Sequence, residues 1–182
     1  MNDKEPGTEF VIRRARPHEA SALAHLHVSV WRDTYRDYAP AEAIRLLDED
    51  RRLPYWTKAI AETGKAAGVF VADEGQGPLG VISFAPSDHA AFGGRVEIKH
   101  LYVAQAAQGM GLGRRLVGSV LDQAAPKGVA LSVVRQNEAA RRFYARLSGV
   151  ECGAFTDPGP LWRSENIVIA WDGDTPSSPS NP

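Results

Sequence analysis

The stretch that most constrains this chain runs from Tyr102-Val103 through Gln108-Gly109-Met110-Gly111-Leu112-Gly113-Arg114-Arg115 into an apolar stripe at Leu112, Leu116, Val117, Val120, Leu121 and Ala124. A strand-like run, a glycine-rich turn and a strongly periodic helix follow one another directly, which commits this part of the chain to a β-turn-α unit. Such a junction is also an anion site. Free N–H groups and the dipole at the helix start favour a phosphate, and bare glycine backbone lets a ligand approach closely. The alternative is a glycine turn that serves only tight strand–helix packing. Two common nucleotide-binding patterns do not apply. A G-x-G-x-x-G fingerprint starting at Gly109 needs glycine at 114, where Arg114 stands, and the Gly-Lys-Ser/Thr of a P-loop is absent.

The rest of the chain supplies elements for a sheet around that unit. Glu9–Arg14 reads as an opening strand, and Arg16-Pro17 turns into an amphipathic helix reaching Tyr35. Pro40 opens a helical piece over Ala41–Leu47, and Pro54 restarts the pattern with Trp56 and Ile60. Gly68–Ala72 and Leu79–Phe84 form a hairpin across Glu74-Gly75-Gln76-Gly77-Pro78. After Arg95–Val103 and the glycine turn come a strand at Val129–Val134 and a helix from Asn137, its cap, to Leu147. Weaker strand signals at Val150–Phe155 and Asn166–Trp171 close the series. The expected architecture is a mixed α/β sheet of about six to seven strands flanked by helices, a single domain over residues 9–171. Residues 1–8 are expected to be loose, and the Pro/Ser-rich tail 172–182 to be disordered.

Composition narrows the function classes. The chain has 182 residues, 43% of them hydrophobic, with 21 Lys+Arg against 22 Asp+Glu. At this size about 70% of the unfolded surface can be buried, so a core forms without disulfides. One cysteine fits a reducing cytosol, and the first residues, MNDKEPGTEF, contain no apolar signal-peptide region. No apolar run approaches the length of a membrane span. A near-neutral charge argues against a general nucleic-acid binder. The expectation is a cytoplasmic protein with no nucleic-acid or membrane partner.

Within Arg95–Val103 the apolar phase slips. Val96 and Ile98 alternate with Glu97 and Lys99, yet the next apolar residue, Leu101, lies three positions on. A β-bulge near Lys99–His100 restores the inward face; a strand buried on both faces is the alternative. A bulge would twist the strand from its neighbour and leave amides facing a gap.

Gln108, Gly111 and Gly113, as Q-x-x-G-x-G with basic residues following, resemble the acyl-CoA-binding motif of the GNAT N-acetyltransferase superfamily. The segment from Asn137 to Tyr144 matches the N-x-x-A-x-x-F-Y pattern of the same family, in the family's order along the chain. A Phe-Tyr pair on a helix is otherwise a core feature. The resemblance implies a GNAT fold with a bulged strand, a splayed acyl-CoA cleft and acetyl-CoA as co-substrate. It places the cofactor on Leu101, Tyr102, Val103, Gln108, Gly109, Met110, Gly111, Leu112, Gly113, Arg114, Asn137 and Phe143. The Leu101 N–H would hold the thioester carbonyl, as an oxyanion-hole donor does.

The chemistry sets further expectations. An amine with a pKa near 10.4 must lose a proton before it attacks, and the departing thiolate must gain one. By resemblance Tyr144 is the acid, and Glu97, in E-I-x-x-L-Y-V, or else a water chain, is the base. Some family members carry a glutamate five residues before the asparagine, where this chain has Ser132. His100 is a weaker candidate relay. Cys152 reads as a small buried hydrophobe rather than an acyl carrier. His18, His25, His27 and His89 lack metal-ligand spacing, so no metal is expected. Trp31 and Tyr35 are candidate walls of the acceptor cleft, or else helix anchors. The acceptor is expected to be a small-molecule amine or amino acid, with a protein lysine or N-terminus, or a non-catalytic acyl-CoA-binding module, as alternatives. A homodimer is the common prior among soluble oligomers.

Overall fold

The computed structural model describes residues 10–124 and 128–172. The elements follow one another as β1 (Val11–Arg14), α1 (Ala20–Tyr35), α2 (Ala41–Leu46), α3 (Glu49–Ala61), β2 (Gly68–Asp73), β3 (Pro78–Pro86), β4 (Val96–Val103), α4 (Leu112–Ala124), β5 (Val129–Val134), α5 (Glu138–Arg146), β6 (Val150–Asp157) and β7 (Ser164–Trp171). These seven strands form one mixed sheet in the order β1-β2-β3-β4-β5-β7-β6. Of its pairs, β4–β5 is parallel and the others are antiparallel.

Each face of the sheet is covered by helices whose apolar stripes the sequence dictates. Leu112, Leu116, Val117 and Val120 of α4 pack with Tyr144 of α5 onto Ile82, Phe84, Ile98 and Leu131. On the other face Leu23, Ala24 and Leu26 of α1 meet Trp56 and Ile60 of α3 over Val69, Val71 and Val81.

Several boundaries differ from the sequence reading, each for a local reason. Pro17–Glu19 forms a 3-10 turn before α1 begins. α3 starts ahead of Pro54: Asp48 caps it, its Oδ1 accepting from the Arg51 amide at 2.8 Å, and the proline lies inside the helix. Pro54 therefore removes one backbone donor from an established helix rather than restarting one. Cys152 is exposed, not buried. Glu151 pairs with Ile169 and Gly153 with Val168, so Cys152 is the extra residue of a bulge on edge strand β6. Asp172, expected to open the loose tail, is held by Arg95, with Nη2 to Oδ1 at 2.6 Å. The expectations for residues 1–8 and for the tail beyond Asp172 lie outside the described residues.

The phase slip in β4 has its predicted cause. Ser83 pairs with His100 and Phe84 with Ile98, which leaves Lys99 as an inserted residue. Beyond the bulge Leu101 and Val103 rejoin the face of Val96 and Ile98 that packs on α4, while Tyr102 packs on the α1 side.

Candidate active site

The bulge opens the sheet. β4 and β5 pair only at Val96–Val129 and Glu97–Ala130, and their C-terminal halves diverge. The Ala104 amide donates to the Leu79 carbonyl at 2.8 Å, and Val81 lies opposite Tyr102. Antiparallel ladders alternate, so the backbone groups of Leu101 and Val103 point away from β3, into the gap. Those of Tyr102 point to β3, so this residue faces the cleft with its ring and offers no free backbone there. The Gln108 side chain fills part of the deficit by donating from Nε2 to the Val103 carbonyl at 3.2 Å.

At the wide end of the gap lies the glycine turn. Gly109 and Gly111 adopt φ of +80° and +79°, and a Cβ on either would meet nothing within 4 Å. The need for glycine here is conformational, and the space above the turn is open. The Arg115 amide makes the first intrahelical bond of α4, to Gly111 O at 3.1 Å. The amides of Leu112, Gly113 and Arg114 thus lack acceptors within the helix and form an anion cradle. Leu112 contributes only this amide, since its side chain is in the core. Gly113 also serves packing, because a Cβ there would sit 3.1 Å from Phe143 Cζ; its bareness sets the α4–α5 approach. Arg114 is exposed and lines the cavity, whereas Met110 is exposed and is not among the lining residues.

Gap and turn belong to one cavity of about 1040 Å³. Its lining includes Leu101, Tyr102, Val103, Gln108, Gly109, Gly111–Arg114, Asn137, Phe143, Tyr144, Trp31 and Tyr35. Asn137 is buried and caps α5, its Oδ1 accepting from the Ala140 amide at 3.1 Å, and its side chain lies beside the Tyr35 hydroxyl. That cap fixes the first turn of α5 and so the aim of Tyr144. Burial raises the phenol pKa of Tyr144 well above the ordinary value, with Tyr35 adding to the effect. The group is therefore protonated across the neutral range, as a proton donor must be.

Glu97 lies apart from the lining. It is ion-paired with Lys99, a residue that is itself part of the lining, and it is close enough to Tyr55 to raise that phenol's pKa further. His100 and Ser132 line the cavity directly. Burial, with Arg52 and Lys99 nearby, lowers the pKa of His100 to about 3.

The acceptor side was only half legible in the sequence. Trp31 and Tyr35, rings 4.9 Å apart, pack in the cluster that anchors α1 and also line the cavity. Sequence reasoning missed Trp162 and Asp157 at the β6–β7 connection, which also line it. Trp162 meets Tyr35 edge-on at 6.2 Å. The one available signal was a large apolar ring in a Pro/Gly-rich loop, which must cover something. The arginines that flank Trp31 and Tyr35 are engaged: Arg32 donates to the Leu47 carbonyl at 2.6 Å, and Arg36 pairs with Asp33 at 2.8 Å. His25 pairs with Glu49. Among the described residues no three His, Cys, Asp or Glu side chains are grouped to hold a metal, and no helix is long and apolar enough to cross a membrane.

A sheet splayed at a bulged strand, with a phosphate-type turn at its mouth, defines a protein that lays an extended, anion-tipped ligand between two strands. The profile of the acetyltransferase (GNAT) family matches residues 12–149, and the chain belongs to that family. It is 27% identical over 138 residues to a probable N-acetyltransferase of Mycobacterium tuberculosis, covering 74% of this chain and 76% of that one. A putative acetyltransferase of Salmonella typhimurium, solved with its cofactor acetyl-CoA, superposes with a TM-score of 0.65 at 22% identity, over 94% of this chain and 98% of that one. A Bacillus cereus acetyltransferase gives 0.67 at 13% identity, over 91% and 98%. These likenesses establish the fold, and the family makes the protein an acyltransferase.

Proposed function

We propose that the protein moves the acetyl group of acetyl-CoA directly to the primary amine of a small molecule. The observation that carries this reading is the gap beyond Glu97 and Ala130, where the backbone groups of Leu101 and Val103 face β5 without pairing to it. The residues fit the cofactor: an unpaired strand edge suits a pantetheine arm, and the free amides of Leu112, Gly113 and Arg114 suit a diphosphate. Acetyl-CoA supplies an activated acyl group with a thiolate leaving group. The Leu101 N–H polarises the carbonyl placed against it, where one such donor contributes about 10²–10³ in rate. Tyr144 gives its proton to the departing sulfur, and Asn137 and Phe143 hold its helix in place. Glu97, which lies apart from the cavity lining, takes the amine proton through a chain of water.

Trp162 against Tyr35 supports a small acceptor, because this contact joins α1 to the β6–β7 connection across one side of the cavity. The engagement of Arg32 and Arg36 leaves neither guanidinium at hand to anchor an amino-acid carboxylate. Thiol release from acetyl-CoA across a panel of amines, amino acids and peptides tests the reading. Turnover confined to small amines is expected. Turnover of peptides alone would move the activity to protein substrates, and tight cofactor binding without turnover would make the protein a non-catalytic sensor.

A further inference from the structure

Behind the cleft a set of polar groups meets inside the apolar layer between β4 and the α1–α3 helices. The Tyr102 hydroxyl lies 3.2 Å from His27 Nε2 and 3.4 Å from His100 Nδ1. His27 is 0% exposed. Its Nδ1 has no hydrogen-bond partner, and neither has Nε1 of Trp56, whose ring stands edge-on to His27 at 5.9 Å. His100 and Tyr102 line the cleft, with His27 behind them.

Two imidazoles joined through one hydroxyl can be ordered in two ways, because Tyr102 has a single proton to give. In the first, Tyr102 donates to His27 Nε2. His27 then carries its proton on Nδ1, buried without an acceptor beside a second unpaired N–H on Trp56. In the other, His27 donates from Nε2 to the Tyr102 oxygen, and Tyr102 donates to His100 Nδ1. His27 Nδ1 is then an under-used acceptor, and the Trp56 N–H is the one donor of the two rings left without a partner. Buried N–H groups without acceptors are rarer than under-used acceptors, which selects the second order. Burial and the nearby Arg52 guanidinium hold both imidazoles neutral, His27 even more firmly than His100.

We infer that His27 and Tyr102 fix His100 as a neutral imidazole with its proton on Nε2, a hydrogen-bond donor that reads the acceptor substrate. His100 shares the face of Tyr102 and Trp56, opposite the Leu101 and Val103 side chains. It therefore addresses the acceptor rather than the cofactor arm. A neutral N–H donor there selects an amine that carries a hydroxyl or carbonyl oxygen next to its nitrogen, as in amino alcohols and amino amides. This substrate class rests on the acetyltransferase reading; the tautomer does not. His27 acts through Tyr102 and is a positioning residue.

Long-range proton–nitrogen spectra of the ¹⁵N-labelled free protein read both tautomers. At neutral pH each ring should be uncharged with its proton on Nε2. A proton on Nδ1 of His100, or a charged ring, would overturn the proposal. Tyr102→Phe removes one oxygen and keeps the packing; His100 should then populate both tautomers, and an unchanged pure Nε2 form would dismiss the positioning chain. Matched amines with and without the adjacent oxygen should differ about 10-fold in kcat/KM, the worth of one good hydrogen bond. In His100→Ala that preference should vanish, with the amine KM rising far more than the acetyl-CoA KM, and His100→Gln should restore part of it. Equal use of both amines by the native protein would refute the substrate class. Absence of thiol release with every amine would overturn the acetyltransferase reading and this substrate class with it, while the spectra still decide the tautomer.

Discussion

The two halves of the cleft are built from different materials. The donor half is backbone: the inward-facing groups of Leu101 and Val103, the amides at the start of α4, and glycines at positive φ. The half proposed for the acceptor is side chain: Trp31, Tyr35, His100, Tyr102, Asp157 and Trp162, drawn from α1, β4, the end of β6 and the β6–β7 connection. Backbone donors recognise what is constant in the ligand and tolerate drift in the surrounding residues. Side chains set what can vary. On the proposed reading the first half holds the reaction and the second its selectivity.

Substitutions can break this contrast, and the largest effect should come where the halves meet. Tyr144→Phe should lower kcat by about 10²-fold, the lower end of general-acid contributions, with little change in acetyl-CoA affinity. Steady-state kinetics beside calorimetric titration would show it, and equal turnover would remove Tyr144 as the acid. Gly111→Val should do the opposite. A β-branched residue at φ +79° strains the turn by about 1–2 kcal/mol, so cofactor affinity should fall about 10-fold with kcat less affected. Its neighbour should behave differently. Gly113→Ala crowds Phe143 and should cost about 1 kcal/mol of stability in denaturant unfolding, with a smaller loss of affinity than Gly111→Val.

Smaller effects sharpen the picture further. Glu97→Gln should weaken turnover less than Tyr144→Phe, with part of the loss recovered as rising pH deprotonates the amine unaided. A pH profile parallel to that of the native protein would deny Glu97 the role of base. The least effect should come from the support of α1. Arg13 bonds Glu19 at 2.7 Å and Asp73 at 2.5 Å and holds both carboxyl pKa values below their ordinary range. Groups with depressed folded pKa values add stability above their unfolded pKa, and this is lost as pH falls through the folded one. Arg13→Met should therefore be less stable than the native protein at neutral pH, with the gap closing on acidification below the carboxylate range. A gap of constant size would show that the ion pairs carry none of it.

The same contrast explains what the sequence disclosed. Backbone features leave local marks: a glycine turn before a strong helical period, and an apolar phase that slips at Lys99 because an inserted residue must sit there. The cap at Asn137 is equally local. Side-chain assemblies across distant segments leave few. His27 and Tyr102 are 75 positions apart, and Trp162 meets Tyr35 only because the β6–β7 connection folds back over α1. Pro54 misled because a proline's effect depends on where the helix began, which Asp48 decides. Cys152 misled because its side chain's direction follows from a bulge on an edge strand, and the apolar pattern there is weak.

The most direct measurement follows the backbone amides while acetyl-CoA is titrated into the ¹⁵N-labelled protein. Backbone recognition of the donor predicts that the largest shifts fall on Leu101, Val103, Leu112, Gly113 and Arg114, with the indole N–H groups of Trp31 and Trp162 nearly unmoved until an amine is added. Shifts centred on the Trp31–Trp162 wall, with the Leu101 and α4 amides silent, would contradict it.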